Sequence, residues 1–267
     1  VIDTRIELGH YLFELFVLQW PGFLLVAAMA LAVHTLVNNK YLGHFVVLLL
    51  FLVTSRLADL GFEDRLYRYA ARPDVIYSDL NGYGHFLPAV AWFRVYWGAF
   101  AVLLLVLAYA LWVRGRDGGW RGRWRTAASR MTPAAWSVAG VAAVVFAGSG
   151  GWIYYNTHVV NEFVSRHDAQ RLAADYEKRF KALAQAPQPK VTTADVRVDI
   201  HPEANRARVA GTLATINRSG QPITDVYVLY PRSARAHKVE LSVPARLAES
   251  LPAMRWHHYV LATPLAP

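Results

Sequence analysis

The chain has 267 residues, of which 55% are hydrophobic and 18% charged, and its mean hydropathy is +0.21. This composition excludes an ordinary soluble domain and indicates burial in a lipid bilayer. The net charge is +9, but the arginines are concentrated in one loop rather than spread over a face, which argues against nucleic-acid binding. The lack of cysteine excludes disulfides and thiolate metal sites. Because the chain starts at Val1 without a methionine and stops at Pro267 within a strand pattern, we interpret it as a fragment of a longer protein.

Four apolar runs in the first 155 residues predict four transmembrane helices. A helix needs about 20 apolar residues to cross the hydrocarbon core, where its backbone polar groups must be satisfied within the segment. The runs cover residues 15–37, 41–55, 95–113 and 133–155. The second run is short, and it reaches span length only if it continues past Arg56, whose side chain can extend to the interface.

The loop between the last two runs predicts the orientation. It contains one acid, Asp117, and six arginines, namely Arg114, Arg116, Arg121, Arg123, Arg125 and Arg130. Positive charge favours the cytoplasmic side, so the N-terminus, residues 56–93 and everything after residue 155 are expected outside. The alternative is a solvated basic loop without topological meaning.

The outer loop, residues 56–93, has two predicted parts. Residues 57–69 alternate leucines with charges and predict a short amphipathic helix along the membrane surface, which ends near Pro73. A turn-rich part follows, with Asp79, Asn81 and His85 as candidate site residues. They either form a polar cluster that lines a cavity or contacts a partner, or they belong to a hydrogen-bonded turn. Neither interpretation supports catalysis.

After the membrane the pattern predicts a helical stalk and then an incomplete antiparallel β domain. Apolar residues recur at helical intervals over residues 157–183, and Pro187 and Pro189 follow. From Lys190 the period changes to two, with strands expected at residues 196–200, 209–213, 226–230 and 239–243 and a turn at 217–220. We therefore divide the chain into a membrane domain (1–155), a stalk (156–189) and the start of an extracytoplasmic β domain (190–267).

Ten histidines raise the question of a metal site. No His-Glu-x-x-His helix, Walker A loop or nucleophile elbow occurs. His257 and His258 are adjacent, but neighbours in a strand point to opposite faces and do not readily chelate one ion. His34 and His44 lie in or beside predicted spans. They either belong to a polar pathway through the membrane or are hydrogen-bonded side chains at a helix interface.

Two parts of the chain together resemble a known family. Residues 196–203 (VRVDIHPE), 206–212 (RARVAGT), 216–219 (INRS) and 222–223 (PI) resemble the opening strands of the N-terminal β domain of aminopeptidase N-like zinc metallopeptidases. The four runs and residues 77–85 resemble the later half of an ABC exporter permease of the kind fused to such a peptidase in bacteria. The resemblance implies the bacterial inner membrane, and zinc and peptides for a catalytic domain that these residues do not include. It carries no catalytic, cofactor-binding or metal residue onto this chain.

The leading hypothesis is therefore a permease-like membrane portion joined to an extracytoplasmic peptidase module. Its expected partners are the lipid bilayer, other membrane helices and a cytoplasmic ATPase subunit. The arginine loop, with Arg114, Arg116, Arg121, Arg123 and Arg125, is the candidate site of coupling to that ATPase. Two alternatives remain: a membrane anchor of a zinc aminopeptidase without a transport role, and a membrane sensor or assembly factor with a β ligand-binding domain.

Overall fold

The computed structural model describes residues 7–113, 119–161, 163–204, 206–231 and 237–267, with only the backbone of residues 119–121. The chain divides into two compact units, Val1–His167 and Asp168–Pro267, and each is considered by itself.

The first unit is built from helices. Helices α1 (Leu8–Phe13) and α2 (Trp20–Val37) are joined by a π-helical segment, Glu14–Gln19, into one long helix. The next helices are α3 (Lys40–Arg56), α4 (Leu87–Leu111), α5 (Gly119–Arg130) and α6 (Pro133–Tyr154), and a second π-helical segment, Tyr155–Val160, prolongs α6. Helix α7 (Arg166–Phe180) begins at the end of this unit.

Three helices of the described chain are long and apolar enough to cross a membrane, by length and composition. They are Leu8–Val37, Leu87–Leu111 and Pro133–Val160. The prediction of membrane helices is thus confirmed in part, because three helices rather than the predicted four meet these requirements of length and composition. Helix α3, the second predicted span, has 17 residues, or about 25 Å at 1.5 Å per residue, whereas the hydrocarbon core is about 30 Å thick.

The helix boundaries follow from particular residues. Pro21 has no backbone N–H, and its ring clashes with a carbonyl in the preceding turn, which accounts for the change of hydrogen-bond pattern before α2. Asn38, with φ of 52°, ends α2 in the left-handed conformation that asparagine tolerates. The side chain of Asn39 accepts hydrogen bonds from the N–H groups of Tyr41 and Leu42 and caps α3.

Aromatic side chains from α4 form the core of the first unit. The buried cluster comprises Leu25, Ala28, Phe93, Tyr96, Trp97, Ala101 and Ile153, and it joins α2, α4 and α6. The ring of Tyr96 stacks on Phe146 of α6 with centroids 4.5 Å apart. It also lies over Gly150, where an added Cβ would be 2.8 Å from the ring, so the two helices approach closely because residue 150 has no side chain.

The second unit contains two antiparallel sheets. Strands β1 (Lys190–His201) and β2 (Arg206–Ile216) form a two-stranded ribbon. Strands β3 (Ile223–Leu229), β4 (Ala245–Leu251) and β5 (Trp256–Leu265) form a three-stranded sheet in the order β3-β5-β4. Phe180 of α7 packs on Trp256 with ring centroids 4.5 Å apart, and an ion pair joins Arg179 to Glu249. Helix α7 therefore belongs to the core of this sheet.

Three predicted elements differ from the structure. Residues 239–243 form no strand, and the fourth strand lies at Ala245–Leu251 instead. The predicted helix over 157–183 is interrupted between Val160 and Arg166 and ends in a 3₁₀ turn, Lys181–Gln185. Residues 57–86, all described, form turns rather than an amphipathic helix.

Candidate functional site: the capped end of the helix bundle

Residues 57–86, here called the cap segment, connect α3 to α4 and pack onto the helix bundle. Leu66, Tyr69 and Ala70 contact the core cluster. The hydroxyl of Tyr69 donates a hydrogen bond to the carbonyl of Leu25, 2.7 Å away. Burial raises the pKa of Tyr69 to about 12, so the phenol stays protonated as the donor at neutral pH. The cap segment is therefore attached to α2 by a buried side chain.

Turn-forming residues give the cap segment its shape. The carboxylate of Asp64 accepts a hydrogen bond from the N–H of Leu66, a local turn typical of aspartate. Gly61 adopts φ of 93° and Gly82 adopts φ of 57°, conformations that glycine reaches without steric cost. Ala70 has φ of 60°, which is unfavourable for alanine and is maintained here by its packing on the core.

The three predicted cap residues lie on the outside. Asp79, Asn81 and His85 are all exposed. The side-chain amide of Asn81 lies 3.1 Å from Nδ1 of His85, and the backbone pairs Ser78 with Gly82 across the same turn. The structure thus brings two of the three side chains together, and their contacts are those of a hydrogen-bonded turn before α4.

Two tyrosines of the cap segment carry the inward contacts that sequence analysis missed. The hydroxyl of Tyr83 lies 3.0 Å from Nε2 of His10 on α1, and its ring stacks on His10 and Phe13. Tyr77 meets the His10 ring edge-on at 4.0 Å. Burial, followed by the nearby Glu14 carboxylate, raises the pKa of Tyr83. In the sequence, the feature that could have indicated this contact is the pair His10 and Glu14, two polar residues four positions apart at the start of an apolar helix.

Asp64 of the cap segment contacts His158 in the π-helical extension of α6. Nε2 of His158 lies 3.4 Å from Oδ2 of Asp64, and Asp64 is 9% exposed. On the other side of the ring, Nδ1 lies 2.8 Å from Oγ1 of Thr157. The rings of Tyr154 and Phe163 stack on the imidazole at centroid distances of 4.5 and 5.0 Å. Polar groups thus face both ring nitrogens and aromatic rings contact the imidazole.

Arg94 lies on α4, seven residues after its start, within a candidate span. Its Nη2 donates a hydrogen bond to the carbonyl of Leu18, 2.7 Å away, in the π-helical segment. An added Cβ at Gly22 would lie 3.4 Å from Nη1, so the guanidinium rests against the helix backbone there. An arginine at this position is costly in a bilayer and indicates a functional or structural role.

Glu63 of the cap segment contacts the start of α7. Its carboxylate accepts hydrogen bonds from the backbone N–H groups of Arg166 and His167, both in the first unit. The bond from Arg166 is the main cause that lowers the pKa of Glu63, so the carboxylate remains charged at the helix N-terminus.

At the other end of the bundle, the side chain of Arg123 connects the ends of α2 and α4. Its guanidinium is buried and donates to the carbonyls of Thr35 and Leu36, at the end of α2, and to the carbonyl of Leu111, at the end of α4. Carbonyls at helix C-termini have no partner within their helix and carry partial negative charge, so one cation stabilises both ends. Arg123 is thus a structural contact between helices.

The remaining predicted arginines are placed differently. Arg130 donates to the carbonyls of Ala110 and Trp112. Arg125 is exposed on α5. Arg114 and Arg116 lie outside the described residues, and for Arg121 the structure describes only the backbone within α5.

His34 and His44 form a ring contact between α2 and α3, with centroids 4.6 Å apart and an interplanar angle of 74°. Gly43 makes room for it, since an added Cβ would be 2.4 Å from Nδ1 of His34. The two predicted histidines are therefore brought together at a helix interface.

In the second unit, His257 and His258 face different partners. Nε2 of His257 lies 2.7 Å from Nε2 of His237, and Nε2 of His258 lies 2.6 Å from Oδ1 of Asp225. Burial and His237 lower the pKa of His257, which favours its neutral form. The two neighbours therefore point apart, as expected, and the described residues contain no cluster of three metal-binding side chains.

The capped end thus brings the Asp64 carboxylate within 3.4 Å of His158 and holds the Arg94 guanidinium against the carbonyl of Leu18. Comparison of the chain with protein-family models, with curated proteins and with solved structures finds no match.

Proposed function

We propose that the chain is the permease-like membrane portion of a bacterial ABC exporter that carries an aminopeptidase N-like module. In this proposal the protein lies in the inner membrane, the residues after Val160 are extracytoplasmic, and a separate ATPase subunit binds at the cytoplasmic side. In such proteins zinc and peptide substrates belong to the catalytic domain, and none of the side chains described above is assigned to them.

One observation carries the proposal of a transport role. Three apolar helices of span length meet at an end where Arg94, Asp64 and His158 are enclosed by the bundle and the cap segment. Ionisable groups at or near the hydrocarbon are costly, and they commonly mark paths for substrates or ions. A set of helices that serves only as a membrane anchor has no need of these ionisable groups.

The exposed surface supports the membrane location. Leu12, Phe16, Phe23, Leu105 and Val144 are each at least 40% exposed although they lie on the long helices. Many large apolar side chains exposed along helices of span length are uncommon on soluble proteins, and in membrane proteins lipid or other helices cover them. We place α3 in the same bilayer, as a short and apolar neighbour of α2.

A second candidate is a membrane anchor for an extracytoplasmic zinc aminopeptidase. The position of Arg123 favours it, because this arginine of the predicted coupling loop is occupied with the ends of α2 and α4. Of the arginines proposed for coupling, Arg125 has an exposed side chain that a cytoplasmic partner can reach.

Single cysteines test the topology, because the chain has none of its own. Asp79→Cys and Lys238→Cys are expected to react with a membrane-impermeant maleimide in intact cells, whereas Ser129→Cys is expected to react only after the membrane is opened. The reverse labelling pattern would contradict the orientation.

Purification with partner subunits separates the two candidates. The full-length protein is isolated from native membranes and assayed for bound ATPase and for release of N-terminal residues from peptides. Bound ATPase that Arg125→Glu weakens supports export. Zinc-dependent peptidase activity without any bound ATPase supports the anchor, and the absence of both activities removes both candidates.

A further inference from the structure

A pair of histidines attaches the connection between β3 and β4 to the sheet of the second unit. Nε2 of His237 lies 2.7 Å from Nε2 of His257 on β5. The ring of Tyr230, the residue after β3, stacks on both imidazoles at centroid distances of 3.7 and 5.1 Å. His237 is exposed, whereas His257 is only 8% exposed. An imidazole in contact with solvent therefore meets a buried imidazole of the sheet.

The residues after His237 are held at their two ends. Residues 237–244, here called the covering segment, form neither a helix nor a strand. At the far end, the carbonyl of Pro244 accepts a hydrogen bond from the N–H of Ala262 on β5, 2.8 Å away. A cleft of about 380 Å³ is lined mainly by the covering segment and by Tyr259 of β5. Because this cleft takes the place of close packing, the position of the covering segment depends on its two ends.

Burial decides which nitrogen of His257 carries the hydrogen. Its Nδ1 is buried and has no hydrogen-bond partner among the described residues. A hydrogen on Nδ1 would be a buried donor without an acceptor, which is destabilising. We therefore expect His257 to carry its hydrogen on Nε2 and to donate it to Nε2 of His237. The hydrogen on Nδ1 of His237 can then bond to water, since that residue is exposed.

The same buried atom argues against a metal ion between the two rings. A histidine that binds a metal through Nε2 keeps its hydrogen on Nδ1 and normally donates it to an acceptor. Nδ1 of His257 has no such acceptor in the part of the chain that the structure describes. The pair is therefore suited to a hydrogen bond between two neutral rings.

A further proton is incompatible with this contact, because a protonated imidazole carries hydrogen on both nitrogens. On His257, the added proton would lie on the buried Nδ1. On His237, it would either make two N–H groups face each other or move the hydrogen of His257 to that same Nδ1. Burial, followed by His237, lowers the pKa of His257 from its ordinary value of 6.5. The contact thus contributes stability that is complete above about pH 6.5 and is lost as the pH falls from there through the lowered pKa.

The other groups around the His257 ring do not take up a proton in this range. Its partners in register and its further ring contacts are Val228 of β3, Ser250 of β4, Tyr230 and Tyr259. Tyrosine is neutral near neutral pH. On the covering segment, Lys238 and Glu240 pair with each other. His258 faces Asp225 instead, because neighbouring residues of a strand point to opposite faces. The ion pair of Arg179 on α7 with Glu249, the partner of His258 in register, lies on that opposite face too.

We propose that the contact between His237 and His257 is a pH-dependent latch for the covering segment. The latch is closed when both imidazoles are neutral, and the uptake of one proton opens it. Opening frees the end of the covering segment that begins at His237 and exposes Tyr259 and the cleft. The device lies within the second unit, so it goes beyond the proposed function and needs neither a transport role nor a particular orientation in the membrane.

Distances between two spin labels in the purified protein test the latch. Because the chain has no cysteine, the labels are placed at Ser242→Cys on the covering segment and at Arg218→Cys on the exposed turn before β3. We expect one distance at about pH 7.5 and, at about pH 5, a second distance in at least about half of the molecules. A wild type with the same single distance at both pH values overturns the proposal.

Histidine variants of the labelled protein show which residues respond. His237→Phe keeps a ring against Tyr230 but removes the acceptor, so it should show both distances at either pH. His258→Gln and His201→Gln are the controls, since the first removes the neighbouring histidine and the second an exposed one on β1, and both should respond as the wild type does. An unchanged pH response in His237→Phe overturns the proposal.

Nitrogen NMR of isotope-labelled histidines in the wild type covers the case in which His237→Phe fails to fold. At about pH 7.5 we expect the hydrogen of His257 on Nε2, together with coupling across the hydrogen bond to Nε2 of His237, and at about pH 5 we expect this coupling to be lost. A hydrogen on Nδ1 of His257 at neutral pH, or coupling that persists in acid, overturns the latch.

Discussion

Nε2 of His158 lies 3.4 Å from Oδ2 of Asp64, and this contact joins the extension of α6 to the cap segment. The hydroxyl of Thr157 also donates to the carbonyl of Ile153, 2.8 Å away, so its oxygen is left to accept a hydrogen bond from Nδ1 of His158. Oxygen atoms thus face both ring nitrogens, and the rings of Tyr154 and Phe163 stack on the imidazole.

Removing either member of this pair is expected to loosen the cap segment. His158→Gln and Asp64→Asn should each destabilise the protein by about 1.5 to 3 kcal/mol, the range for a hydrogen bond to a charged group. The double variant should lose less than the sum of the two. Hydrogen exchange of residues 57–86 and thermal unfolding in detergent measure the effect. His85→Gln, at an exposed position, is the control, and exchange as slow as in the wild type would contradict the assignment.

Arg123 is expected to stabilise the bundle at the opposite end. Arg123→Gln leaves carbonyls at the ends of α2 and α4 without their cationic donor, at a cost of about 2 kcal/mol. Arg125→Gln on the same helix changes the charge equally at an exposed site and should shift the unfolding temperature little. Equal shifts for the two variants would show that net charge, and not the contact, determines stability.

The close approach of α4 and α6 depends on Gly150. Gly150→Ala should displace the Tyr96 ring, since the added Cβ would be 2.8 Å from it, and should lower the unfolding temperature. Gly148→Ala is the matched control two residues away, because nothing lies within 4 Å of its added Cβ. If the two variants unfold at the same temperature, the packing described for Tyr96 is wrong.

The sheet of the second unit is expected to weaken in acid. The hydroxyl of Thr224, and then His258, lower the pKa of Asp225 below its ordinary value near 3.8. A lowered carboxyl pKa contributes stability that is complete above the ordinary value and is lost as the pH falls through the lowered one. Hydrogen exchange of β5, corrected for its intrinsic pH dependence, should therefore accelerate below about pH 4. Asp225→Asn should abolish this acceleration, and Thr224→Val should reduce it.

Apolar length and turn chemistry made part of the fold predictable. The long runs identified α2, α4 and α6 to within several residues, because a bilayer helix has a strict requirement for length and composition. The short run at α3 did not extend past Arg56, where the cap segment begins. The turn at Asn217 was predictable because its side chain accepts a hydrogen bond from the N–H of Ser219, two residues later.

The candidate site was less predictable, since it depends on which way side chains point after folding. Turn-rich polar residues drew attention to Asp79, Asn81 and His85, which lie on the exposed side of the cap segment. The inward contacts come from Tyr83 and Asp64, which pair with residues 73 and 94 positions away in the chain. Arg94 was missed because its run was expected to begin one residue later. A pattern of neighbouring residues in the sequence cannot indicate contacts between residues so far apart in the chain.

The ribbon of β1 and β2 is divided into two unlike faces. Register places Val196 opposite Gly211, Val198 opposite Val209 and Ile200 opposite Ala207 on one face, and the charged pair Asp199 and Arg208 on the other. Both faces are exposed. For protein production, a chain shortened to the second unit, residues 168–267, would therefore self-associate through the valine face, as uncovered strands do. Replacing Val198 or Val209 with threonine or lysine should therefore improve the yield of this shortened protein in soluble form.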